Sequence, residues 1–391
     1  MIKPFRALRY AAAAGAPETL CCPPYDVVSD AERLELEARS PFNAIRLEHP
    51  SDGYRKAAER LREWRDGGIL ALDEEPLYYI VEMGFEADGQ KYRLRGFTAL
   101  MELTPFGEGR VLPHEETLSK AKADRLELMK AANCNFSPLY GLYEDCSGEA
   151  AAVLESVTAN TPPQAEFTMP DGVIHRLWTV AGETAQSALT RALGDGPVFI
   201  ADGHHRYETA LGYCGRGGFV MITLVEMSDP GLVVMPTHRV VKNCPDIDLA
   251  SRLSGAFKIE NAGAADVPQN GSVIFYRNGG YKLITPASPA AMSGKSPAYN
   301  GLDVAVLHDL ILEPHFGIDK KALAAQSSLI YTRDRTEAVR MVDGGAGQCA
   351  FILPPTKVSQ IRDVSLAGEK MPQKSTYFYP KWTTGITFSL L

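Results

Sequence analysis

The segment that most constrains the fold covers residues 197–210 and reads PVFIADGHHRYETA. Residues 198–200 predict a short buried strand, and residues 205–213 have the spacing of a helix. Gly203 lies between them and allows the sharp turn that such a junction needs. A helix that begins directly after a strand presents its first backbone N–H groups, and its dipole favours an anion there. The segment therefore predicts a strand–turn–helix element that binds phosphate.

The side chains of this element suit phosphate chemistry. Arg206 can make a two-pronged contact to phosphate oxygens, and His204 and His205 can donate further hydrogen bonds. Asp202, at the end of the strand, is placed to hold Mg²⁺ or to orient a hydroxyl group. The plain alternative is a capped helix with two surface histidines, but these residues in succession favour a functional site. Thr209 completes the predicted phosphate-binding set.

Composition narrows the class of protein. The chain has 391 residues, 45% hydrophobic and 23% charged, which is ordinary for a soluble protein of two or three domains. Its net charge of −8 argues against binding nucleic acid, which requires a basic face. No apolar run approaches a membrane span and residues 1–6 do not resemble a signal peptide, so we expect a cytoplasmic protein. The seven cysteines include no C-x-x-C spacing and predict reduced, mostly buried thiols.

Alternating strand and helix patterns predict a mixed α/β fold. Asp88-Gly89 joins two β-rich runs in a predicted hairpin, and residues 51–66 form a predicted helix capped by Ser51 or Asp52. From about residue 245 the chain becomes rich in Gly, Ala, Ser and Pro around a second, smaller hairpin. We predict three regions: an N-terminal α/β region with the hairpin (1–105), a core with the phosphate element (106–244) and a C-terminal α/β region (245–391).

Other motifs allow both a structural and a functional interpretation. His114-Glu115-Glu116-Thr117, with Lys120 close behind, is either a charged helix start or a general base beside cations for an anionic substrate. Three further segments fit turns, strands or surface pairs, or else a substrate pocket: Tyr25-Asp26 together with residues 43–48, His238-Arg239, and Lys374-Ser375. Neither a Walker-type phosphate loop nor a G-x-G-x-x-G motif is present, so the common nucleotide cradles are absent.

Five of these motifs together resemble a known family. They are PPYDV at 23–27, HEET at 114–117, DGHHRYETA at 202–210, PTHR at 236–239 and MPQKSTYFYPK at 371–381. On these motifs the chain is identified as a member of an uncharacterised prokaryotic family, the domain of unknown function "ten-fifteen". The likeness covers essentially the whole chain, and the family name implies no activity.

A more distant resemblance implies chemistry. Asp-Gly-His-x-Arg between a strand and a helix is similar to the nucleotide-phosphate motif of the ParB/sulfiredoxin superfamily, which includes ParB-like free serine kinases. That resemblance implies a ParB/sulfiredoxin-like core with N- and C-terminal additions. It also implies that Glu115 is the base and that Asp202, His204 and Arg206 form the catalytic and phosphate site, with ATP or ADP and Mg²⁺ as cofactors. About ninety residues separate Glu115 from Asp202, so an insertion into the compact superfamily core is implied.

The expected function is therefore a nucleotide-dependent phosphotransferase acting on a small molecule. The leading expectation is a kinase for a hydroxyl amino acid such as free L-serine. The open alternatives are a phosphatase for a phosphorylated amino acid and a non-catalytic ParB-like nucleotide-binding regulator. A homodimer is compatible with this interpretation. The residues expected to bind the substrate are Tyr25, Asp26, His114, Thr117, Lys120, His238, Arg239, Lys374 and Ser375.

Overall fold

The computed structural model describes the chain apart from residues 118, 243–247, 270, 291 and 326–327 and the side chains of residues 119, 120, 250, 320, 324 and 325. The chain divides into two compact units. The first unit comprises Met1–Leu112, Thr117–Val233 and Pro380–Leu391, and the second comprises Pro113–Glu116 and Val234–Tyr379. The mixed α/β class predicted from the sequence is confirmed, since each unit combines strands with helices. The division into three regions stays a prediction.

The first unit is built on a nine-stranded mixed sheet. Eight strands follow one another in the order β6-β11-β8-β12-β5-β4-β10-β9, and β1 pairs with β5. The strands of this unit are β1 (Ile2–Lys3), β2 (Leu8–Tyr10), β3 (Leu70–Leu72), β4 (Tyr78–Ala87), β5 (Gln90–Glu102), β6 (Val111–Leu112), β7 (Cys134–Asn135), β8 (Leu139–Tyr143), β9 (Ala165–Thr168), β10 (Ile174–Val180), β11 (Val198–Asp202) and β12 (Phe219–Glu226), and Ser389–Leu390 pairs with β7.

Eight α-helices belong to the described part of the first unit. They are α1 (Pro17–Leu20), α2 (Asp30–Arg39), α3 (Ile45–Glu48), α4 (Tyr54–Asp66), α5 (Ser119–Ala132), α6 (Glu149–Asn160), α7 (Glu183–Ala192) and α8 (His204–Cys214). The predicted hairpin is confirmed as β4 and β5. Its turn places Asp88 at φ 50° and Gly89 at φ 72°, the left-handed pair that a two-residue hairpin favours.

The strand of the predicted phosphate element lies inside the main sheet. Its strand, β11, pairs with β6 in parallel and with β8 in antiparallel fashion. The helix that follows, α8, buries Tyr207 and Ala210, three residues apart, against the apolar cluster that also holds Ile222 and Leu224 of β12. The Tyr207 hydroxyl also donates to the Thr104 carbonyl oxygen at 2.8 Å. Packing on the sheet thus fixes where α8 begins.

Two local predictions differ from the structure. The helix predicted for residues 51–66 begins at Tyr54, and its N-cap residue is Gly53. Asp52 pairs with Arg60 instead of capping the helix, because an arginine two turns along the helix gives that carboxylate a charged partner. Residues 43–48 were compatible with a strand, but Ile45–Glu48 is a short helix whose first turn is held by the buried Asn43 side chain.

The second unit contains a six-stranded antiparallel sheet in the order β15-β17-β16-β19-β14-β18. The predicted second hairpin is confirmed as β16 and β17. The strands, the first of which begins at the unit boundary, are β13 (Val233–Met235), β14 (His238–Val241), β15 (Phe257–Ala262), β16 (Val273–Arg277), β17 (Gly280–Pro286), β18 (Leu329–Thr332), β19 (Cys349–Ile352) and β20 (Tyr377–Tyr379).

The helices of the second unit include one irregular stretch, a π-helical turn at His308–Leu312. It lies between α11 and α12, and π-helical turns occur frequently at functional sites. The described helices are α9 (Leu249–Leu253), α10 (Pro297–Asn300), α11 (Asp303–Leu307), α12 (Glu313–Phe316), α13 (Lys320–Ala325), α14 (Arg335–Asp343) and α15 (Val358–Leu366). Among the described residues, no helix is long and apolar enough to span a bilayer. The six described cysteines are free thiols, and four of them are buried.

Close approach of β5 and β12 at Gly96 gives a stability test. A Cβ atom at Gly96 would lie 2.7 Å from the Leu224 carbonyl oxygen, whereas one at Gly84 of β4 would meet its nearest atom, Ile174 Cβ, at 3.7 Å. We therefore expect Gly96→Ala to lower the free energy of unfolding by about 1–3 kcal/mol. The control Gly84→Ala should change it by less than about 0.5 kcal/mol in the same urea titrations. Equal effects of the two variants would contradict this packing.

Candidate functional site

The turn at Gly203 is the geometric basis of the candidate site. Gly203 has φ 96° and ψ 25°, a left-handed conformation that side chains disfavour. A Cβ atom there would also lie 2.7 Å from Leu139 Cδ2 and 3.1 Å from Arg206 Nη2. Glycine is therefore required both by the backbone and by the close packing of Arg206. The predicted strand, turn and helix are confirmed as β11, Gly203 and α8.

The start of α8 has the geometry of an anion site. The first hydrogen bond of its ladder runs from the Tyr207 N–H to the Gly203 carbonyl oxygen at 2.9 Å. The backbone N–H groups of residues 204–206 thus precede that ladder at the positive end of the helix dipole. His204 is 4% exposed, whereas His205 is half-buried.

Two cations flank the carboxylate of Asp202. The Lys381 ammonium donates to one carboxylate oxygen, and Arg206 Nη2 donates to the other at 2.8 Å. Burial opposes ionisation of Asp202, but the charges of Lys381 and Arg206 outweigh it and hold the pKa of this carboxyl well below its ordinary value. The three side chains together carry one net positive charge beside the start of α8.

Arg206 also anchors the turn to the neighbouring strand β8. Its Nη1 donates to Ser137 Oγ at 2.9 Å and to the Pro138 carbonyl oxygen at 2.7 Å. Burial lowers the pKa of Arg206, but the negative charges of Asp202 and Asp26 raise it above its ordinary value. These protein groups therefore hold the guanidinium in place. Its charge lies beside the turn without a change in the side-chain conformation.

A second buried charge pair stands behind Arg206. Glu48 accepts a hydrogen bond from Ser137 Oγ at 3.1 Å and lies 3.7 Å from Arg125 Nη1. Arg125 donates to the Glu48 carbonyl oxygen at 2.9 Å and covers the ring of Tyr25 at 3.9 Å. Burial raises the pKa of Glu48, although Arg125 and Arg206 oppose this. The cavity that these groups line measures about 40 Å³, which is large enough for a water molecule and too small for a nucleotide.

Tyr25 and Asp26, which the sequence proposed as substrate contacts, lie in this charged region of the first unit. Burial raises the pKa of Tyr25 well above its ordinary value, and the negative charge of Asp26 adds to the effect while Arg206 and Arg125 oppose it. The Asp26 side chain is exposed. The Pro-Pro-Tyr-Asp turn is thus held by Arg125 with an exposed carboxylate at its surface.

The motif at residues 114–117 divides between the two units. Thr117 belongs to the first unit, where its hydroxyl donates to Glu208 of α8, and Lys122 Nζ donates to the same carboxylate at 2.7 Å. Thr209 is buried and donates to the Lys122 carbonyl oxygen at 3.4 Å. Lys120 lies in α5, and its side chain is outside the described residues.

The other predicted residues of that motif lie in the second unit. His114 Nε2 forms a hydrogen bond with Thr376 Oγ1 at 2.9 Å. Glu115 pairs with Met371 in a β-bridge, and its carboxylate accepts from the Lys374 N–H at 3.4 Å. Lys374 itself has φ 57°, a left-handed conformation that is uncommon outside glycine. His114 and Glu115 are therefore neighbours of the MPQKS motif within the second unit.

Arg239 of β14 supports this loop, and its neighbour His238 binds the backbone after β19. Arg239 is 1% exposed and donates to the Lys374 carbonyl oxygen at 2.9 Å. Burial lowers its pKa to about 10. His238 Nδ1 accepts from the Leu353 N–H at 3.2 Å, and burial lowers its pKa to about 4, so its ring is neutral at pH 7. The Ser375 hydroxyl donates to the Pro372 carbonyl oxygen.

The residues around Asp202 do not fit a magnesium ion. Both carboxylate oxygens are engaged by cations, Lys381 and Arg206, which a metal ion would have to displace. In the part of the chain that the structure describes, no three His, Cys, Asp or Glu side chains are grouped so that the protein alone could hold a metal ion. Charge neutralisation at this turn is available instead from the two side-chain cations and the helix start.

The site residues predicted from the sequence do not include four residues that the structure brings together around Asp202 and Arg206: Lys381, Glu48, Arg125 and Ser137. Lys381 lies 179 positions from Asp202, so no local pattern connects them. Two of the four residues did lie in segments that the sequence had singled out. Lys381 is the last residue of the motif at 371–381, and Glu48 is the last residue of segment 43–48. A charged residue at the end of such a motif is a pattern that could have found Lys381 and Glu48, whereas the hydroxyl of Ser137 gives no comparable signal.

The chain matches the model of a known protein family. It belongs to the family described as "Protein of unknown function (DUF1015)", whose model matches residues 2–305. The family predicted from the five motifs is thus confirmed. No curated protein matches the chain.

Three solved structures resemble the chain at low identity. A conserved hypothetical protein from Pyrococcus furiosus is 14% identical with a TM-score of 0.40, over 75% of this chain and 95% of that one. A free serine kinase in complex with AMP is 14% identical with a TM-score of 0.41, over 72% and 86%. C-terminally truncated SbnI from Staphylococcus aureus is 12% identical with a TM-score of 0.38, over 75% and 87%. Scores of this size leave the chemistry of the site to be judged from its own residues.

The Asp202–Lys381 contact predicts a pH-dependent loss of stability. We expect Lys381→Met to lower the free energy of unfolding by about 2 kcal/mol at pH 7, because a buried charged hydrogen bond is lost. The pKa of Asp202 is depressed in the folded state, so its contribution is present above the unfolded pKa of about 4 and disappears as pH falls through the folded pKa. The difference between variant and wild type should therefore shrink towards low pH in urea titrations. Lys56→Met, which breaks an exposed pair with Glu59, should cost under about 1 kcal/mol.

For Glu48 we expect the contribution to the free energy of unfolding to have the opposite pH dependence. Its folded pKa is raised by burial, so its contribution to stability is present below the unfolded pKa of about 4 and is lost as pH rises through the folded pKa. Glu48→Gln removes this titration, and we expect its stability relative to wild type to rise between pH 4 and pH 7 by about 1.4 kcal/mol per unit of pKa displacement. The exposed control Glu35→Gln should change the free energy of unfolding by less than about 0.5 kcal/mol. A flat profile for Glu48→Gln would contradict the burial of this charge.

Proposed function

We propose that this protein is a nucleotide-dependent phosphotransferase, a kinase that acts on a hydroxyl amino acid such as free L-serine. The observation that carries the proposal is the arrangement of two cations, Lys381 and Arg206, held by Asp202 at the start of α8. Phosphoryl transfer depends chiefly on positioning and on neutralising phosphate charge. Backbone N–H groups at a helix start and fixed cations supply both.

In this proposal the nucleotide phosphates bind at the backbone of residues 203–206. Lys381 and Arg206 neutralise phosphate oxygens, while Asp202 keeps both cations in place between turnovers. His204 and His205 add hydrogen bonds, and Thr209 supports the helix from its buried side. The proposed core that carries these residues is ParB/sulfiredoxin-like, and the proposed nucleotide is ATP or ADP.

The proposed acceptor is an amino-acid hydroxyl group. Its oxygen attacks the terminal phosphorus as the bond from that phosphorus to the departing nucleotide oxygen breaks, and its proton passes to the Glu115 carboxylate. ATP would leave as ADP, and ADP as AMP. Tyr25, Asp26, Thr117 and the loop with Lys374 and Ser375 are proposed to contact the amino acid, with His114, Lys120, His238 and Arg239 in supporting positions.

Nucleotide binding is the first test. We expect ADP to bind at least about 10-fold more tightly than adenosine in calorimetric titrations, because the phosphates make the charged contacts. Lys381→Met should remove most of this preference and leave adenosine binding unchanged. Arg216→Met, beyond the other end of α8 and exposed, is the matched control and should behave as wild type.

A substitution of Arg206 tests nucleotide binding poorly, because this side chain also stabilises the fold. Its bonds to Ser137, Pro138 and Asp202 mean that Arg206→Ala should lower the melting temperature as well as nucleotide affinity. His205→Ala, on a half-buried side chain, is expected to weaken ADP binding with little change in melting temperature. Equal affinities for ADP and adenosine in the wild type would refute phosphate binding at this turn.

Turnover is the second test. Purified protein with L-serine and ATP or ADP should form O-phosphoserine, detected by mass spectrometry, and Glu115→Gln should reduce the rate at least about 100-fold, as loss of a general base does. Hydrolysis of O-phosphoserine without nucleotide would favour the phosphatase instead. Tight nucleotide binding without transfer to or from any amino acid would favour the regulator.

A further inference from the structure

The second unit contains a cavity of about 380 Å³ whose lining residues all belong to that unit. This volume lies within the range of small-molecule sites, roughly 300–1,000 Å³. The lining includes three buried apolar residues, Ile318, Leu323 and Met371. It also includes polar groups on the π-helical turn and on α10.

His308, on the π-helical turn, is the most unusual lining residue. It is 3% exposed, and neither ring nitrogen has a hydrogen-bond partner among the described residues. Buried polar atoms are nearly always paired, so an unpartnered ring beside a cavity points to a group supplied from outside. Burial lowers the pKa of His308 to about 3 and the charge of Arg239 adds to the effect, so the ring is neutral at pH 7. A neutral imidazole offers one acceptor nitrogen as well as one donor.

The next residue supplies a fixed negative charge. Asp309 accepts a hydrogen bond from the Tyr299 hydroxyl at 3.1 Å, and Tyr299 is 4% exposed. The lining carries four carboxylates and two lysines, and one lysine, Lys295, is 3.6 Å from one of those carboxylates, Glu369. The remaining balance is negative, with Glu313 exposed at the cavity.

We propose that this cavity binds a small organic amine, with its ammonium group at Asp309 and its carbon chain against the apolar lining residues Ile318, Leu323 and Met371. The carboxylate neutralises the ammonium charge, and the acceptor nitrogen of His308 is positioned to receive an N–H from the bound ligand. A bare divalent cation is the weaker fit, because no group of three metal ligands exists in the described parts of this unit. This site goes beyond the proposed function, since the phosphate element belongs entirely to the first unit.

A probe series tests the proposal on the full-length protein. At constant ionic strength, 1-aminopentane and 1,5-diaminopentane should bind in calorimetric titrations and raise the melting temperature. The uncharged 1-pentanol and the anion pentanoate share the carbon chain and should bind at least about 10-fold more weakly. Equal binding of pentanol, tighter binding of pentanoate, or no binding of either amine would overturn the proposal.

Variants place the amine in the cavity. Asp309→Asn should weaken the binding of 1-aminopentane at least about 10-fold. If this variant is unstable, Tyr299→Phe is the second variant, because it removes the tyrosine hydroxyl that donates to the Asp309 carboxylate and should change the affinity for the amine. Glu260→Gln, on an exposed strand position of the same unit, is the control and should leave affinity unchanged. Unchanged affinity in both Asp309→Asn and Tyr299→Phe would overturn the site. Lys381→Met should keep full amine affinity, so failure of the nucleotide proposal is distinguishable from failure of this one.

Discussion

The contact of Asp202 with Lys381 and Arg206 is the interaction on which the first unit's candidate site depends. One carboxylate connects the end of β11, the first turn of α8 and the C-terminal segment of the chain. Burying these charges is tolerable because Asp202 balances one of the two positive charges and because Arg206 also donates to Ser137 and Pro138. The geometry of the turn and its charge are thus set by the same contact.

This arrangement separates two roles that a phosphate site needs. Gly203 and the packing of α8 on the sheet position the backbone N–H groups, and the cations supply charge without having to be gathered when a ligand arrives. Arg206 donates to the Ser137 hydroxyl, which in turn donates to Glu48. Glu48 is paired with Arg125, so this chain of contacts keeps the guanidinium of Arg206 fixed. A preorganised site of this kind loses little conformational entropy on binding an anion.

Local sequence patterns predicted much of this, and long-range contacts account for what they missed. The strand, the Gly203 turn and the helix were predictable because each depends on neighbouring residues, and the Asp88-Gly89 hairpin for the same reason. The cap at residues 51–52 was not, because Arg60 competes for the Asp52 carboxylate. Lys381 was not, because its partner is brought to it only by the complete fold. The family followed from five separated motifs, which periodicity alone could not have connected.

The most direct test of the proposed phosphate site is a crystal structure of the protein grown with ADP. We predict phosphate oxygens within about 3 Å of the backbone nitrogens of residues 204–206 and of Lys381 Nζ, with Arg206 still bonded to Ser137. ADP bound elsewhere, with the Asp202–Lys381 contact undisturbed and no phosphate at the start of α8, would contradict the account.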